Sequence, residues 1–460
     1  MRPPRPTTTA GWIVSQNRSV SLADPSSAAR KRVQSCASWS GGLRSGWSRR
    51  SCVGNRESGV GIRDNFDVRE PIYLDCAATT PLDPRVRAEM LRYLDDDFGN
   101  AGSRTHAFGQ RARAAVEQAR DRVAAVVGAS RGDVIFTSGA TESNNLALLG
   151  LASAGHEQRR RHIIASEIEH HAVLEPLAEL GRLGFEVTLV PPNGHGLVEA
   201  DTIRAALRSD TLAVSLMHVN NETGVMQPIA EVADALEGRP TYFHVDAAQS
   251  FGRESAALSH PRIDLISASA HKMHGPKGIG ALIARRRDGT RPPLRPLMFG
   301  GGQERGLRPG TLAVPLIVAL GQAAALALVE GDARRQRCLD FRRALLDGLA
   351  PLRPMINGDA DRSVADIVNL SFPGVDSQDA MEAWQDLVAI SNGAACTSQA
   401  YTCSHVLGAM GLPEWRKEGA LRFSWCATSE RPDWAAMVAA IERLQPCHAG
   451  AKAGLERSHV

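Results

Sequence analysis

Lysine is scarce in this 460-residue chain: only Lys31, Lys272, Lys277, Lys417 and Lys452 occur, so arginine carries nearly all of the basic charge. Two of those five lie in "SAHKMHGPKG", which marks that stretch for chemistry. No Cys-x-x-Cys pair is present, and no Cys/His group has structural-zinc spacing, so no metal site is expected. Eight cysteines scattered over so long a chain do not make a disulfide framework. Free thiols in a reducing, cytoplasmic setting are expected instead. No apolar run reads as long enough to cross a bilayer, so no membrane partner is expected. No internal repeat is found.

Acidic residues are missing from one end only. Residues 1–66 hold 11 Lys/Arg against three Asp/Glu, and the remainder 42 against 47. The working part of the chain is therefore mildly acidic, and the net charge of +3 gives no ground for direct nucleic-acid binding. Residues 1–70, rich in Ser, Arg, Gly and Pro without periodicity, read as a disordered or dispensable basic extension. A misassigned start also accounts for them. No Met lies between Met1 and Met90, so a later start would use a codon such as that of Val60 or Val68. An Arg/Ser-rich, acid-poor start also suits an organellar transit peptide.

From residue 72 the rhythm changes. Short apolar runs read as buried strands: "IYLDCA", "DVIFTS", "HIIASE", "EVTLVPP", "TLAVSLMHV", "TYFHVDA", "DLISASA" and "GIGALIA". Helical patterns fall between most of them, as at 111–128 and 170–184. This alternation predicts an α/β domain over 71–325 with a mostly parallel sheet. A long helical stretch from 314 to about 350 follows. The runs "IVNLSFPG", "LVAISNGA" and "ALRFSWCA" then predict a smaller α+β domain over 326–460.

Polar clusters stand directly after several strand runs, where parallel sheets gather ligands. "TSGATESNN" opens a helix with small and hydroxylated residues, which suits an anion although such residues also serve as simple caps. "HVDAAQS" puts Asp246 and Gln249 after a strand. "SASAHKMHGPKG" does the same for Ser269, His271 and Lys272, where desolvation can turn a lysine into a base or nucleophile. A phosphate cradle, a buried acid and a lysine are together what pyridoxal phosphate requires.

On the motifs "YLDCAATTPLDPRV", "TSGATESNNLAL", "EIEHHAVLEPL", "HVNNETGVMQPI", "HVDAAQS", "SASAHKMHGPKGIGAL", "GGGQERGLRPGTL" and "SNGAACTS", the chain resembles the class V aminotransferase group of fold-type I enzymes. Within it, the resemblance is to cysteine desulfurases of the NifS/IscS type. The resemblance implies that Lys272 is the Schiff-base lysine and α-proton shuttle, and that Asp246 pairs with the pyridine nitrogen. It implies that Gln249 and Asn221 contact the cofactor's phenolic oxygen region or the substrate. Ala140, Thr141, Ser269 and His271 would hold the phosphate, and His170 would stack on the ring and aid proton transfer. Thr311 would reach the phosphate of a partner subunit, implying a homodimer, and Arg422 would grip the substrate carboxylate. No role is assigned to His106, and Lys277 reads as a structural or surface residue. "GGGQERG" reads as a turn at the dimer-facing cofactor edge.

Desulfuration needs a thiolate that reaches the L-cysteine sulfur and afterwards a sulfur-acceptor protein. Cys396, among the small residues of "SNGAACTSQAYTC", fits that travel. Cys403 stands where a helix begins, and Cys76 and Cys426 lie in or beside strand runs, where packing is the expected role. "FSWCATSE" departs from the "SLGRFTTEE" type of general iron–sulfur desulfurases and resembles the desulfurases that serve DNA phosphorothioation. The alternatives are selenocysteine lyase or another class V pyridoxal-phosphate enzyme, and a non-catalytic scaffold of the same fold.

Overall fold

The computed structural model describes residues 70–392 and 404–444. Its centre is a seven-stranded sheet, drawn from β2 (Val134–Thr137), β3 (His162–Ser166), β4 (Glu186–Val190), β5 (Thr211–Ser215), β6 (Tyr242–Asp246), β7 (Leu265–Ser269) and β8 (Gly280–Ala284), β1 being Ile72–Tyr73 elsewhere. The order is β2-β8-β7-β6-β5-β3-β4; β8 runs antiparallel to both neighbours and every other pair is parallel. Mixed α/β architecture with a mostly parallel sheet is thus what the strand–helix alternation indicated.

Successive side chains of a strand point to opposite faces, and here both faces are covered. Val134 and Phe136 of β2 join one apolar core while Ile135 joins the other, and β3 splits Ile164 from Ile163 and Ala165 in the same way. Burial on two sides explains why these strands read as unbroken apolar runs. Only the edge strand β4 leaves several residues exposed or half-buried.

A second body is built on β9 (Met355–Ile356), β10 (Ile367–Ser371) and β12 (Ala420–Ser424), an antiparallel sheet of order β12-β10-β9, while β1 pairs in parallel with β11 (Val388–Ala389). Its core is aromatic, with Trp384, Trp425, Phe372 and Phe423 fully buried. The helix Val314–Leu349 belongs to both bodies. Ile317, Leu320 and Ala324 enter the large core, and Phe341, Leu345 and Leu349 the small one. Residues 325 and 326, where the sequence reading divided the chain, therefore lie inside one continuous helix. Leu74, near the start of the described chain, packs in the small core.

That helix corrects one expectation. The segment Val314–Leu352 is long and apolar enough to cross a membrane by length and composition, contrary to the sequence reading. Its apolarity is used inside the protein: half of the most apolar window is buried, against helices Pro84–Asp95 and Ala107–Ala125 among others. A long helix shared by two cores is apolar over much of its circumference and resembles a membrane span in sequence.

Candidate active site

Strands β2, β3, β5, β6 and β7 run the same way, so their carboxyl ends meet along one edge of the sheet. A cavity of 790 Å³ opens there, and its lining includes Lys272, Asp246, His170, Asn221, Gln249 and Arg422. Ala140, Thr141, Ser269 and His271 line it as well. These residues span some 280 positions of sequence; all but Arg422, which lies within β12, converge because they end or follow a strand of the central sheet. Thr311 is exposed and is not part of the lining. Cys396 lies outside the described residues, as does Cys403.

Asp246 ends β6 and is buried. Its Oδ2 accepts a 2.7 Å hydrogen bond from Asn144 Nδ2, and its Oδ1 one of 2.9 Å from the Ala248 amide. Two donors from different elements fix the plane of the carboxylate. Asn144 is fully buried, and its Oδ1 has no partner.

Lys272 ends the short 3-10 turn that follows β7. Its Nζ donates to the Ala77 carbonyl, which also accepts from Gln249 Nε2 at 2.9 Å. Gln249 Oε1 accepts in turn from Arg253 at 2.8 Å. Beside Lys272, His271 Nδ1 meets Thr79 Oγ1 at 3.2 Å, and burial, then the neighbouring Lys272 and Lys277, lowers its pKa to about 4. Lys277 is exposed but lines the cavity as well.

His170 has a double task. Its Nδ1 accepts a 3.0 Å bond from the Ala172 amide, capping the helix His171–Arg182. A ring whose Nδ1 accepts carries its proton on Nε2 when neutral. Burial, then the positive neighbours Lys272, His171 and His405, hold its pKa below the ordinary histidine value, against the pull of Asp246. Helix cap and cavity residue are thus one side chain.

The helix Ala140–Leu149 begins at the cavity behind Gly139 and has no side-chain cap. Its first amides are thus available to an anion. A Cβ built on Gly280 would come within 2.6 Å of Gly139 Cα, so glycine alone lets β8 pass so close beneath this turn.

Arg422, on β12, is buried and reaches across from the small body. Its Nη2 donates to Asp75 Oδ1 at 2.7 Å and its Nη1 to the Asn221 carbonyl at 3.0 Å, but its buried Nε has no partner. A guanidinium held by two anchors with a donor to spare is suited to a carboxylate.

The backbone of Arg422 pairs with Ser391, whose carbonyl accepts from the Arg422 amide at 2.6 Å. At Ser404, which lines the cavity, the hydroxyl donates to Glu222 Oε2 at 2.5 Å. Both described flanks of the Cys396 segment therefore border the site. Glu222 is buried, and burial raises its pKa despite Ser404, His405, Arg422 and His171 nearby. The His171 and His405 rings stand 5.0 Å apart on the cavity wall.

Asn144, Asp75, Glu222 and the Ala77 carbonyl received no role from sequence. Each lies within or beside a quoted motif, but the contact that gives it a function joins distant segments. His106, also without a role, caps the helix Ala107–Ala125 by accepting from the Gly109 amide at 3.2 Å. "GGGQERG" folds as a 3-10 turn whose Glu304 is buried against Arg120.

The residues present fit pyridoxal phosphate. A rigidly held carboxylate, a lysine, an uncapped helix start with adjacent hydroxyls and an arginine with a spare donor face one cavity.

A family model described as aminotransferase class-V matches residues 72–434. The curated cysteine desulfurase IscS of Shewanella loihica is 46% identical over 357 residues, which cover 77% of this chain and 87% of that protein. Among solved structures, DndA from Streptomyces lividans is similar at 51% identity and a TM-score of 0.68, covering 78% of this chain and 100% of its own. A structure of SspA in complex with cysteine is similar at 34% identity and a TM-score of 0.68, with coverage of 78% and 100%.

Proposed function

This chain belongs to the class-V aminotransferase family and is a cysteine desulfurase, and from that premise we propose how its residues divide the work. Enzymes of this family depend on pyridoxal phosphate, which when bound supplies the electron sink for breaking bonds at the substrate's α and β carbons. Lys272 would bond it, and Asp246, steadied by Asn144, would pair with its ring nitrogen. Ala140, Thr141, Ser269 and His271 would hold its phosphate. His170 would stack on its ring and aid proton transfer, and Gln249 and Asn221 would contact its phenolic oxygen region or the substrate.

L-cysteine is held through its carboxylate by Arg422, which lines the cavity and keeps one donor, Nε, without a partner. Lys272 carries the α-proton. The Cys396 thiolate attacks the substrate sulfur, the substrate Cβ–S bond breaks, and the sulfur stays as a persulfide. Of the two thiol protons one remains on the persulfide and the other ends on the methyl group of the L-alanine that leaves. The observation that carries this reading is the meeting, in one cavity, of Lys272, Asp246, Arg422 and the flanks of the Cys396 segment. Incubation with L-cysteine and pyridoxal phosphate, followed by mass spectrometry of the thiols, tests it. One added sulfur atom is expected on Cys396; the same label on Cys403 alone overturns the assignment. Cys396→Ser separates this reading from selenocysteine lyase, since selenium release survives loss of the thiol and sulfur release does not.

The acceptor we assign is a protein of a DNA phosphorothioation pathway in the cytoplasm. "FSWCATSE" supports it, as does the higher identity with DndA than with IscS. Deleting the gene in its host should then remove phosphorothioate from digested DNA; unchanged phosphorothioate overturns the assignment. A homodimer in which Thr311 reaches the partner's phosphate accounts for an exposed residue within a cofactor-like motif. Sedimentation equilibrium tests it, with monomer mass as the contrary result.

A further inference from the structure

Three thiols lie together outside the cofactor cavity. Cys76, Cys338 and Cys426 are free and buried, and Cys338 and Cys426 line a second, smaller cavity of 50 Å³ together with Arg253, His274, Arg334 and Asp366. Among the described residues no group of three His, Cys, Asp or Glu is disposed to hold a metal ion.

Its geometry is set by a short parallel contact. Asp75 bridges Ser424, and the Cys76 amide donates to the Ser424 carbonyl at 3.0 Å, so Cys76 and Cys426 stand on neighbouring chains in near register. Neighbouring chains at such register have the Cα separation that a disulfide spans. The two side chains lie near enough for each thiol to perturb the other. Cys426 Sγ further contacts Thr428 Oγ1 at 3.3 Å and Ser429 Oγ at 3.6 Å.

We infer that Cys426 and Cys76 form a reactive dithiol, a modification site for hydrogen peroxide and other small hydroperoxides that closes to a disulfide. Cys426 is the attacking sulfur, since it lines the cavity while Cys76 does not. The neighbouring Cys76 thiol first, then the Thr428 and Ser429 hydroxyls, lower the Cys426 pKa to about 4. The same contact and burial push the Cys76 thiol up, so it keeps its proton. Arg253, Arg334 and His274 face the cluster from the cavity walls, and Asp366 opposes them while paired with Arg253 at 2.5 Å.

The thiolate attacks one peroxide oxygen; the O–O bond breaks, hydroxide leaves and is protonated to water, and Cys426 becomes a sulfenic acid. Cys76 then attacks Cys426 Sγ. The S–O bond breaks, water leaves with the Cys76 proton, and the disulfide forms. Two thiols and one peroxide thus give one disulfide and two waters. The bond would tether the end of β12 to a segment whose neighbours do catalytic work: Asp75 anchors Arg422, and the Ala77 carbonyl receives Lys272.

The test uses the full-length holoenzyme. At mildly acidic pH, methyl methanethiosulfonate should modify Cys426 at least about tenfold faster than Cys338, which shares the cavity but has the ordinary protonation of a buried thiol. After stoichiometric peroxide and alkylation, a non-reduced digest should contain the Cys76–Cys426 peptide pair, which dithiothreitol removes. Cys76→Ser should leave a sulfenic acid on Cys426 that dimedone traps. Equal modification of Cys426 and Cys338, or recovery of Cys76 and Cys426 as separately alkylated peptides after peroxide, overturns the inference.

Discussion

Asn144 Nδ2 holds Asp246 Oδ2 at 2.7 Å, a buried contact between the first helix after β2 and the end of β6. Hydrogen bonds to a charged group contribute about 1.5–3 kcal/mol. Asn144→Ala should therefore lower kcat/KM for cysteine by roughly tenfold to a hundredfold. It should also shift the visible absorbance of bound pyridoxal phosphate, because the carboxylate facing the ring nitrogen is no longer oriented. An unchanged spectrum in a folded variant would show that Asp246 needs no such support.

Arg422→Lys keeps one positive charge but loses the planar fork that joins Asp75 and Asn221 and that is proposed to grip the substrate carboxylate. KM for L-cysteine should rise at least about 30-fold, the equivalent of some 2 kcal/mol. Steady-state kinetics with L-cysteine checks it. A fall in kcat at unchanged KM would place the guanidinium's role elsewhere.

Glu169 carries a pH prediction. Its Oε1 accepts from Ser166 Oγ and the Met217 amide, each at 2.7 Å, while Oε2 has no partner, and burial raises its pKa to about 8. The folded state binds this proton more tightly than the unfolded chain does. The stability it contributes is present below the ordinary carboxylate range and is lost as pH rises through about 8. Glu169→Gln, a neutral mimic, should match the parent at pH near 5 and exceed it at pH near 9 by on the order of 1–3 kcal/mol. Denaturant midpoints at the two pH values measure the difference, and parallel pH profiles would refute it.

Histidine gives the opposite slope. Burial lowers the pKa of His218, His244 and His271 to about 4 each, Lys272 and Lys277 adding to the effect at His271. The unfolded chain takes up these protons near the ordinary value of about 6.5. Stability from the three neutral rings is thus present above that pH and is lost as pH falls through it toward 4. Thermal scans from neutral to acid pH should show the decline, and His244→Asn should flatten part of it.

Glu304 and Arg120 form a buried pair at 2.7 Å, and Glu304 also accepts from the Phe136 amide. Removing one member strands the other charge, so Glu304→Ala should cost about 3–5 kcal/mol. Chemical unfolding reads it directly. A loss under 1 kcal/mol, well below the range for buried pairs, would mean that water reaches Arg120.

The candidate site was legible where its residues follow strand ends within one motif. Lys272 stands three residues beyond the end of β7, Asp246 ends β6, and the helix after β2 begins three residues beyond its end. Local order along the chain suffices there, because a buried parallel strand delivers whatever follows it to the same edge. Short strands were less legible. "IYLDCA" pairs as strand only over Ile72–Tyr73, and β9 was not foreseen, since two-residue strands carry no period.

What the sequence determined alone is the composition of each strand end and the order in which the ends occur. These settle the sheet and the family, and they put Lys272 at the sheet's edge. Tertiary structure decided the pairings across long separations: Asn144 with Asp246, Asp75 with Arg422, Ser404 with Glu222 and Cys76 with Cys426. Such contacts have no local periodicity, because they join segments far apart in sequence, within one body for Asn144 and Asp246. The apolar helix Val314–Leu349 shows the same division, for its sequence states that it must be buried and only the fold states by what.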